Sequence, residues 1–430
     1  MVETLRNAWK DLDSRKKILF TLFIILVFRI GSVIPVPFID LAALQSSSAG
    51  ANEFFSYLSI LTGGGLEYGA IFAMSVTPYI NASIILQLLC VAIPPLERIA
   101  KEGEEGQKKI AKITRYITVV LGLIQGTAFF FYLKGNNYLA SAAKSSTGAM
   151  WFAAITIISC FTAGSALVMW LGEQIDTKGI GNGISMILFA GILSRAPQAA
   201  AALWEYFYKL DKKIEVILIV VLFLLVIAFI VWMTGAERRI PVQYAKRVVG
   251  RKMYGGQNSH IPIKVNMSGV MPIIFSSSIL MLPTMILSFM GTSKSSTKIY
   301  KILSLFSTRG TFYAVIYLLL IIAFAYFYVT IQYNPQEMAN NLRKNGGAIT
   351  GIRPGKPTAD FINAILRRVT LLGALFLSVI AVLPILVSNF GGINISLGGT
   401  SILIVVGVAL ETVQTLESQL MMRHYKGFLD

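Results

Sequence analysis

The sequence is short of charge. Only 14% of its 430 residues are charged, whereas a soluble protein of this size carries about 25%. The rest of the composition is apolar, because 55% of the residues are hydrophobic and the mean hydropathy is +0.67. This balance excludes an ordinary soluble domain and indicates an integral membrane protein.

Residues that carry catalysis or bind metals are also scarce. The chain has two histidines and two cysteines. His260 and His424 lie in polar segments, and Cys90 and Cys160 lie in apolar runs, where free buried thiols are the default. The patterns HExxH, GxSxG and EF-hand are absent, and GIRPGK at 351–356 lacks the first glycine of a phosphate loop. We therefore expect no enzyme activity, no metal site and no cofactor.

What the sequence does contain is a series of apolar runs close to the ~20 residues that cross a bilayer. Ten runs are present, at residues 18–37, 74–94, 116–133, 152–171, 183–203, 214–234, 268–290, 312–332, 369–388 and 399–416. Of the 38 Lys and Arg residues, 27 lie in one alternate set of connecting segments and 10 in the other. The positive-inside rule places the basic set and both termini in the cytoplasm.

The segment between the first two runs is not a simple loop. Residues 38–73 contain no Lys or Arg, and Gly63–Gly65 and Gly69 exclude a regular helix. Residues 54–73 are apolar enough to be buried, but the glycines interrupt them too often for a helix that spans the membrane. In a bilayer, irregular backbone is tolerated only where protein or a water-filled cavity satisfies it. We therefore expect this segment to re-enter a cavity on the outer face.

Two cytoplasmic segments, 235–267 and 334–368, are long and basic. Alternation around IPVQY in the first predicts a short hairpin, and Gly and Pro forbid a continuous helix around 346–357 in the second. Such segments either fix topology as solvated loops or dock a partner. Clustered Arg, Lys and Tyr residues in the first favour docking to an acidic protein surface or to ribosomal RNA.

Five runs in each half give the two halves opposite orientations, so an inverted repeat with a pathway at its interface is possible. The predicted fold is an all-α polytopic membrane protein with ten transmembrane helices. A secondary transporter is a competing class, but it would place ionisable residues near the midplane. Beyond Arg29, Glu173 and Glu411 the runs offer almost none. An insertase without a through-pore is a further alternative.

Several stretches are similar to those of one known family. They are VFRIGSVIPVP (27–37), TPYINASIILQLL (77–89), WLGEQIDTKGIGNGIS (170–185), YAKRVVGRKMYGGQNSHIPIKVNMSGVMPIIFSSSI (244–279), NPQEMANNLRKNGGAITGIRPGKPT (334–358) and GGTSILIVV (398–406). They stand in the family's order and together span the chain. On these residues the chain resembles the SecY family, the channel-forming subunits of the bacterial protein translocase.

The resemblance implies an hourglass of two inverted five-helix halves, residues 1–205 and 206–430, around a central pore. It implies a re-entrant plug near residues 56–69, containing Gly63, Gly64, Gly65 and Leu66. The implied pore ring of apolar side chains consists of Ile80, Ile84, Ile184, Leu188, Ile274 and Ile404. The implied lateral gate includes Gln87, Gln125, Pro272 and Ser277. The implied docking residues in the two cytoplasmic segments are Arg238, Arg239, Lys246, Arg247 and Arg353.

The same resemblance implies a function. Members of the family conduct unfolded secretory polypeptides across the bacterial plasma membrane and release hydrophobic segments sideways into lipid. The expected partners are the subunits SecE and SecG, the motor ATPase SecA, the ribosome, and precursor chains with signal sequences. Energy would come from these partners or from the membrane potential, because no catalytic residue is expected in this chain.

Overall fold

The computed structural model describes residues 2–48, 59, 62–208, 213–244, 247–249, 252–254, 258–290, 303, 311–391 and 399–426. The helices of the first half are α1 (Val2–Lys10), α2 (Leu12–Gly31), α3 (Leu41–Ser48), α4 (Thr77–Ala92), α5 (Pro94–Lys101), α6 (Glu104–Gly135), α7 (Ser141–Lys144), α8 (Thr147–Lys178), α9 (Gly183–Leu193) and α10 (Ala196–Tyr208). The remaining helices are α11 (Lys213–Gly235), α12 (Met271–Met290), α13 (Thr311–Gln332), α14 (Pro335–Lys344), α15 (Lys356–Gly391) and α16 (Gly399–Lys426). The strands are β1 (Glu237–Tyr244), β2 (Arg247–Val249), β3 (Lys252–Tyr254), β4 (Asn258–Lys264) and β5 (Gly347–Ile349).

The helices account for the ten predicted apolar runs. Within the described residues, seven helices are long and apolar enough to cross a membrane, and α4 with α5 makes an eighth candidate bent by 104°. Helices α2 and α12, each of 20 residues, overlap the first and seventh runs. The chain is therefore a multi-pass membrane protein, as its composition predicts.

Two of the predicted spans need correction at their boundaries. The first run was expected to continue to residue 37, but α2 ends at Gly31 and Pro35 forms a β-bridge with Ala70. The fifth run divides into α9 and α10 around Arg195. Pro197 in the first turn of α10 explains that break, because proline lacks the N–H of a continuous helix and disfavours helical backbone before it.

Small residues let the helices of the first half approach closely. Gly122 of α6 faces Thr162 and Ser165 of α8, and a Cβ added to it would lie 3.0 Å from the Ser165 hydroxyl. Gly164 of α8 lies against the backbone of Ile71 in the segment before α4. Close approach through small residues is how membrane helices gain contact in a solvent as apolar as their side chains.

The second half has its own apolar core between α11, α12, α13, α15 and α16. Its most buried members come from all five helices: Ile230, Ile273, Leu280, Ile321, Leu377 and Leu403. Helix α13 packs along α15 and also contacts α12. The second half therefore has a core separate from that of the first.

A small sheet stands on the predicted cytoplasmic side and adds β structure to the all-α prediction. The hairpin predicted for 235–267 is present, with β1 antiparallel to β4, and β2 pairs with β3. Strand β5, from the second basic segment, pairs with the other edge of β1, so the order is β4-β1-β5. Ile240, Val242 and Ile349 are buried against Ile362 of α15. The alternating pattern that predicted the hairpin is the one that buries this face.

We expect Gly164→Ala to destabilise the fold. A Cβ at Gly164 would lie 2.0 Å from the Ile71 carbonyl oxygen, and a backbone atom cannot move aside without shifting its segment. Overpacking of this kind costs about 1–3 kcal/mol, so the melting temperature in detergent should fall. Gly148→Ala, on the same helix, is the matched control because its Cβ would meet only Ser146 Oγ at 3.9 Å. Equal melting temperatures for the two variants would contradict the packing argument.

Candidate functional site

The segment before α4 is buried and irregular, as predicted. Residues 62–76 form successive turns rather than a helix. Their backbone groups are paired partly by these turns and partly by the chain that follows α2: Val36 N donates to the Gly69 carbonyl at 2.9 Å, and Ile71 N donates to the Ile34 carbonyl at 3.0 Å. We call residues 62–70 the plug segment. Of the predicted plug 56–69, residues 56–58, 60 and 61 lie outside the described residues.

Gly63 and Gly64 of the plug segment adopt a left-handed backbone conformation that favours glycine, and Gly63 also has no room for a Cβ. Gly63 has φ +65°, and a Cβ there would lie 2.8 Å from the Gly191 carbonyl oxygen of α9. Gly64 has φ +89°, and Gly65 packs against backbone of Ser32 and Ala73. Leu66 is buried in the apolar core of the first half. The four predicted plug residues are thus side by side and enclosed.

Polar side chains hold the plug segment on its other face. Arg29 Nη1, at the end of α2, donates to the Gly63 carbonyl at 2.9 Å, and Ser194 Oγ lies 3.5 Å from the same oxygen. Glu67 forms an ion pair with Arg195 and accepts from Ser59 Oγ at 2.6 Å. Sequence reasoning noted Arg29 among the few ionisable residues of the apolar runs, and its side chain bonds within the bundle. It missed Glu67, within the interrupted segment 54–73, and Arg195, within the fifth run; an isolated ionisable residue was the only signal for each.

Four of the six predicted ring residues meet in one apolar cluster. Ile80 of α4, Leu188 of α9, Ile274 of α12 and Ile404 of α16 pack together, so both halves contribute. Ile184 lies beside Ile80 in the adjoining cluster around Phe28 and Val76. Ile84 is buried, one turn after Ile80 on the same helix. Met186, Ile192 and Val408 also belong to the central cluster, and apolar periodicity alone could not distinguish them from core.

The predicted gate residues lie on helices that meet at the seam between the halves. Helix α12 contacts α4 and α6, the helices that carry Gln87 and Gln125. Both glutamines are partly buried. Pro272 is buried in the first turn of α12, and Ser277 Oγ donates to the Ile274 carbonyl at 3.0 Å. The Ser277 hydroxyl therefore donates its hydrogen bond within its own helix rather than across the seam.

A large groove opens beside this seam. It has a volume of about 1370 Å³ and is lined by α4, α5 and α6 on one side and by α13, α14 and α15 on the other. Gln87 and Cys90 line its first wall, and Tyr326 and Arg367 line its second. Tyr326 Oη donates to the Arg367 carbonyl at 3.1 Å, which joins α13 to α15. The groove is thus bounded by both halves.

The predicted docking residues are partly described. Arg238 and Arg239 are exposed on β1, and Arg239 Nε pairs with Glu237 Oε1 at 2.6 Å. Arg353 is exposed in a turn between Gly351 and Gly355, both with positive φ. Its carbonyl accepts from Thr358 Oγ1 at 2.9 Å, which fixes the turn at the start of α15.

The other two docking residues lie in the tip of the first segment. Lys246 lies outside the described residues, and Arg247 begins the short strand β2. Within the described part of the chain, no group of three or more His, Cys, Asp or Glu residues is arranged to hold a metal ion. Cys90 and Cys160 are free thiols, both partly buried.

Comparison with known proteins identifies the family. A family model described as SecY matches residues 70–413. The protein translocase subunit SecY of Streptomyces coelicolor is 42% identical over 438 residues, covering all of both chains. These matches cover the plug segment's end, the ring helices and both basic segments.

Two solved structures share the fold. One is a SecY protein whose plug domain stabilises the closed state of its translocation channel and maintains a membrane seal. It has a TM-score of 0.64 at 19% identity and covers 94% of this chain and 92% of its own. The other is Sec61 in the canine ribosome-channel complex, with a TM-score of 0.60 at 18% identity and coverages of 94% and 92%. At 42% identity to a curated member over its full length, this chain belongs to the SecY family.

Proposed function

We propose that this chain is a protein-conducting channel that passes unfolded secretory polypeptides across the membrane and releases hydrophobic segments sideways. One observation carries the proposal. Ile80 and Leu188 of the first half close against Ile274 and Ile404 of the second. Residues just beyond Leu188 on α9 contact the buried plug segment. A path between the halves would therefore be closed twice, by the ring and by the plug.

The chemistry of the ring suits a seal that must yield. A narrow apolar constriction disfavours water and ions by dewetting. Aliphatic side chains make no directional bonds, so they can rearrange around a passing chain of any sequence. Ile84 and Ile184 would complete the ring, one turn from Ile80 and Leu188 on their helices.

The two moving units would be residues 1–205 and 206–430. The separate apolar cores support this division, since most buried contacts fall within one half or the other. The lateral gate would open along α12 where it meets α4 and α6, and Gln87 and Gln125 would be the polar residues exposed there. The groove of about 1370 Å³ beside this seam offers room for a hydrophobic segment before it enters lipid.

The composite sheet and the turn at Arg353 would dock the partners that supply energy. The Sec61 neighbour comes from a ribosome-channel complex, which supports the ribosome as a partner. SecA would use the same surface, SecE would clamp the two halves, and SecG would bind at the periphery. The basic segments would face the cytoplasm of a bacterial cell, with the channel in the plasma membrane and both termini inside.

A cysteine in the ring should crosslink to a passing chain. In a variant with Cys90 and Cys160 replaced by serine, Ile404→Cys should form a disulfide with a stalled secretory chain that carries one cysteine. Successive cysteine positions along the stalled chain should react, because each passes the constriction. Ala409→Cys, exposed on the same helix, is the matched control. Crosslinks at α4 and α12 without any at Ile404 would favour insertion without a central pore.

Arg353→Glu should weaken partner binding. The exposed guanidinium, presented by a fixed turn, can make charge-assisted bonds worth about 1.5–3 kcal/mol. Binding of SecA or ribosomes to vesicles containing the channel should therefore fall by about tenfold or more. Lys344→Glu changes the charge equally at another exposed position of the same segment and should have a much smaller effect. If the two variants lose partner binding equally, Arg353 contributes only to the net charge of the segment and makes no specific contact.

A further inference from the structure

The plug segment is tied to the junction of α9 and α10 by an ion pair between Glu67 and Arg195. Among the described ion pairs, most join neighbouring residues or turns of exposed helices, such as Glu97 with Lys101. The Glu67–Arg195 pair is different because it joins an irregular segment to a helix junction 128 residues away.

We infer that Glu67 and Arg195 form an ionic latch that keeps the plug segment seated and couples its release to movement of α9. The inference rests on the proposed channel function and adds a means of control to it. The latch is assisted by Ser59, which donates to the same carboxylate oxygen. Arg29 contributes by donating to the Gly63 carbonyl.

Burial makes this pair stronger than a surface ion pair. The side chain of Arg195 is 14% exposed and that of Glu67 is 29% exposed. Partly desolvated charges interact more strongly than exposed ones, and removing one partner leaves the other without compensation. Once the segment leaves, both groups regain water. The ion pair therefore holds the closed segment strongly, but rehydration of both groups keeps the free energy of opening modest.

The position of Arg195 links the latch to the ring. Arg195 lies two residues after the last residue of α9, and Leu188 and Ile192 of that helix pack against Ile404 and Val408 of α16. Widening the ring requires α9 and α16 to separate. Such a movement displaces Ser194 and Arg195 relative to the plug segment, which is bonded on its other side to the chain after α2. Ring opening and plug release are therefore one event.

The test measures plug release directly. The full chain, with Cys90 and Cys160 replaced by serine and Leu66→Cys added, is reconstituted in proteoliposomes and treated with a water-soluble maleimide. Leu66 is 5% exposed, so labelling reports departure of the segment from its site. Glu67→Gln and Arg195→Gln should each raise the labelling rate about tenfold, and the double variant should be no faster than the faster single.

A matched control separates the latch from general loosening. Arg115 pairs with Glu173 at 2.6 Å and joins α6 to α8 within the same half, away from the plug segment. Arg115→Gln should leave the Leu66→Cys labelling rate unchanged. An Arg115→Gln rate equal to those of the latch variants would overturn the inference, as would additive effects of the two latch substitutions or wild-type rates in both.

Translocation of a precursor into the same vesicles keeps the two proposals distinct. If the parent channel translocates but the latch variants label at the parent's rate, the latch is wrong and the channel function stands. If the parent carries no precursor with its partners supplied, the proposed function fails, and with it the latch as a control on that function.

Discussion

Backbone hydrogen bonding is the constraint on which the rest of this structure depends. In hydrocarbon an unpaired N–H or C=O group costs several kcal/mol, and residues 62–76 do not form a helix that would pair their own. Turns within the segment pair many of these groups, and the chain from Gly31 to Val36 pairs others. Helix α2 ends at Gly31, and the carbonyls of Gly31 and Ile34 accept from Phe72 and Ile71. Because α2 ends early, the chain after it is free to pair with the backbone of the irregular segment.

Much of the fold could be predicted because it depends on composition within short windows. Hydropathy alone located ten runs, and each overlaps a helix, except that the fifth run is divided between α9 and α10. The glycines at 63–65 and 69 predicted the buried irregular segment, and alternation around Ile240 and Val242 predicted the hairpin. Helix ends were less predictable. Gly31 and Pro35 are local signals for the end of α2, but the bonds from Ile71 and Phe72 that hold the following chain are not encoded in the first run.

The site depended on pairings that are distant in sequence. Leu188 and Ile404 look like any apolar core residues, and their meeting across the halves follows from packing of α9 on α16. Family resemblance named them, whereas periodicity could not. Arg195 and Glu67 have no shared pattern and no regular spacing. A side chain that finds its partner through tertiary packing leaves no signal in a window of ten or twenty residues.

The pairing of β5 with β1 has a mechanical consequence. Strand β1 follows α11, β4 leads towards α12, and β5 lies between α14 and α15. Hydrogen bonds across the sheet join these strands, so the two basic segments form one rigid unit rather than two independent loops. A partner that grips either segment would transmit force to α11, α12 and α15 together. A pull from the cytoplasm would thus reach the helix at the seam without any contact inside the membrane.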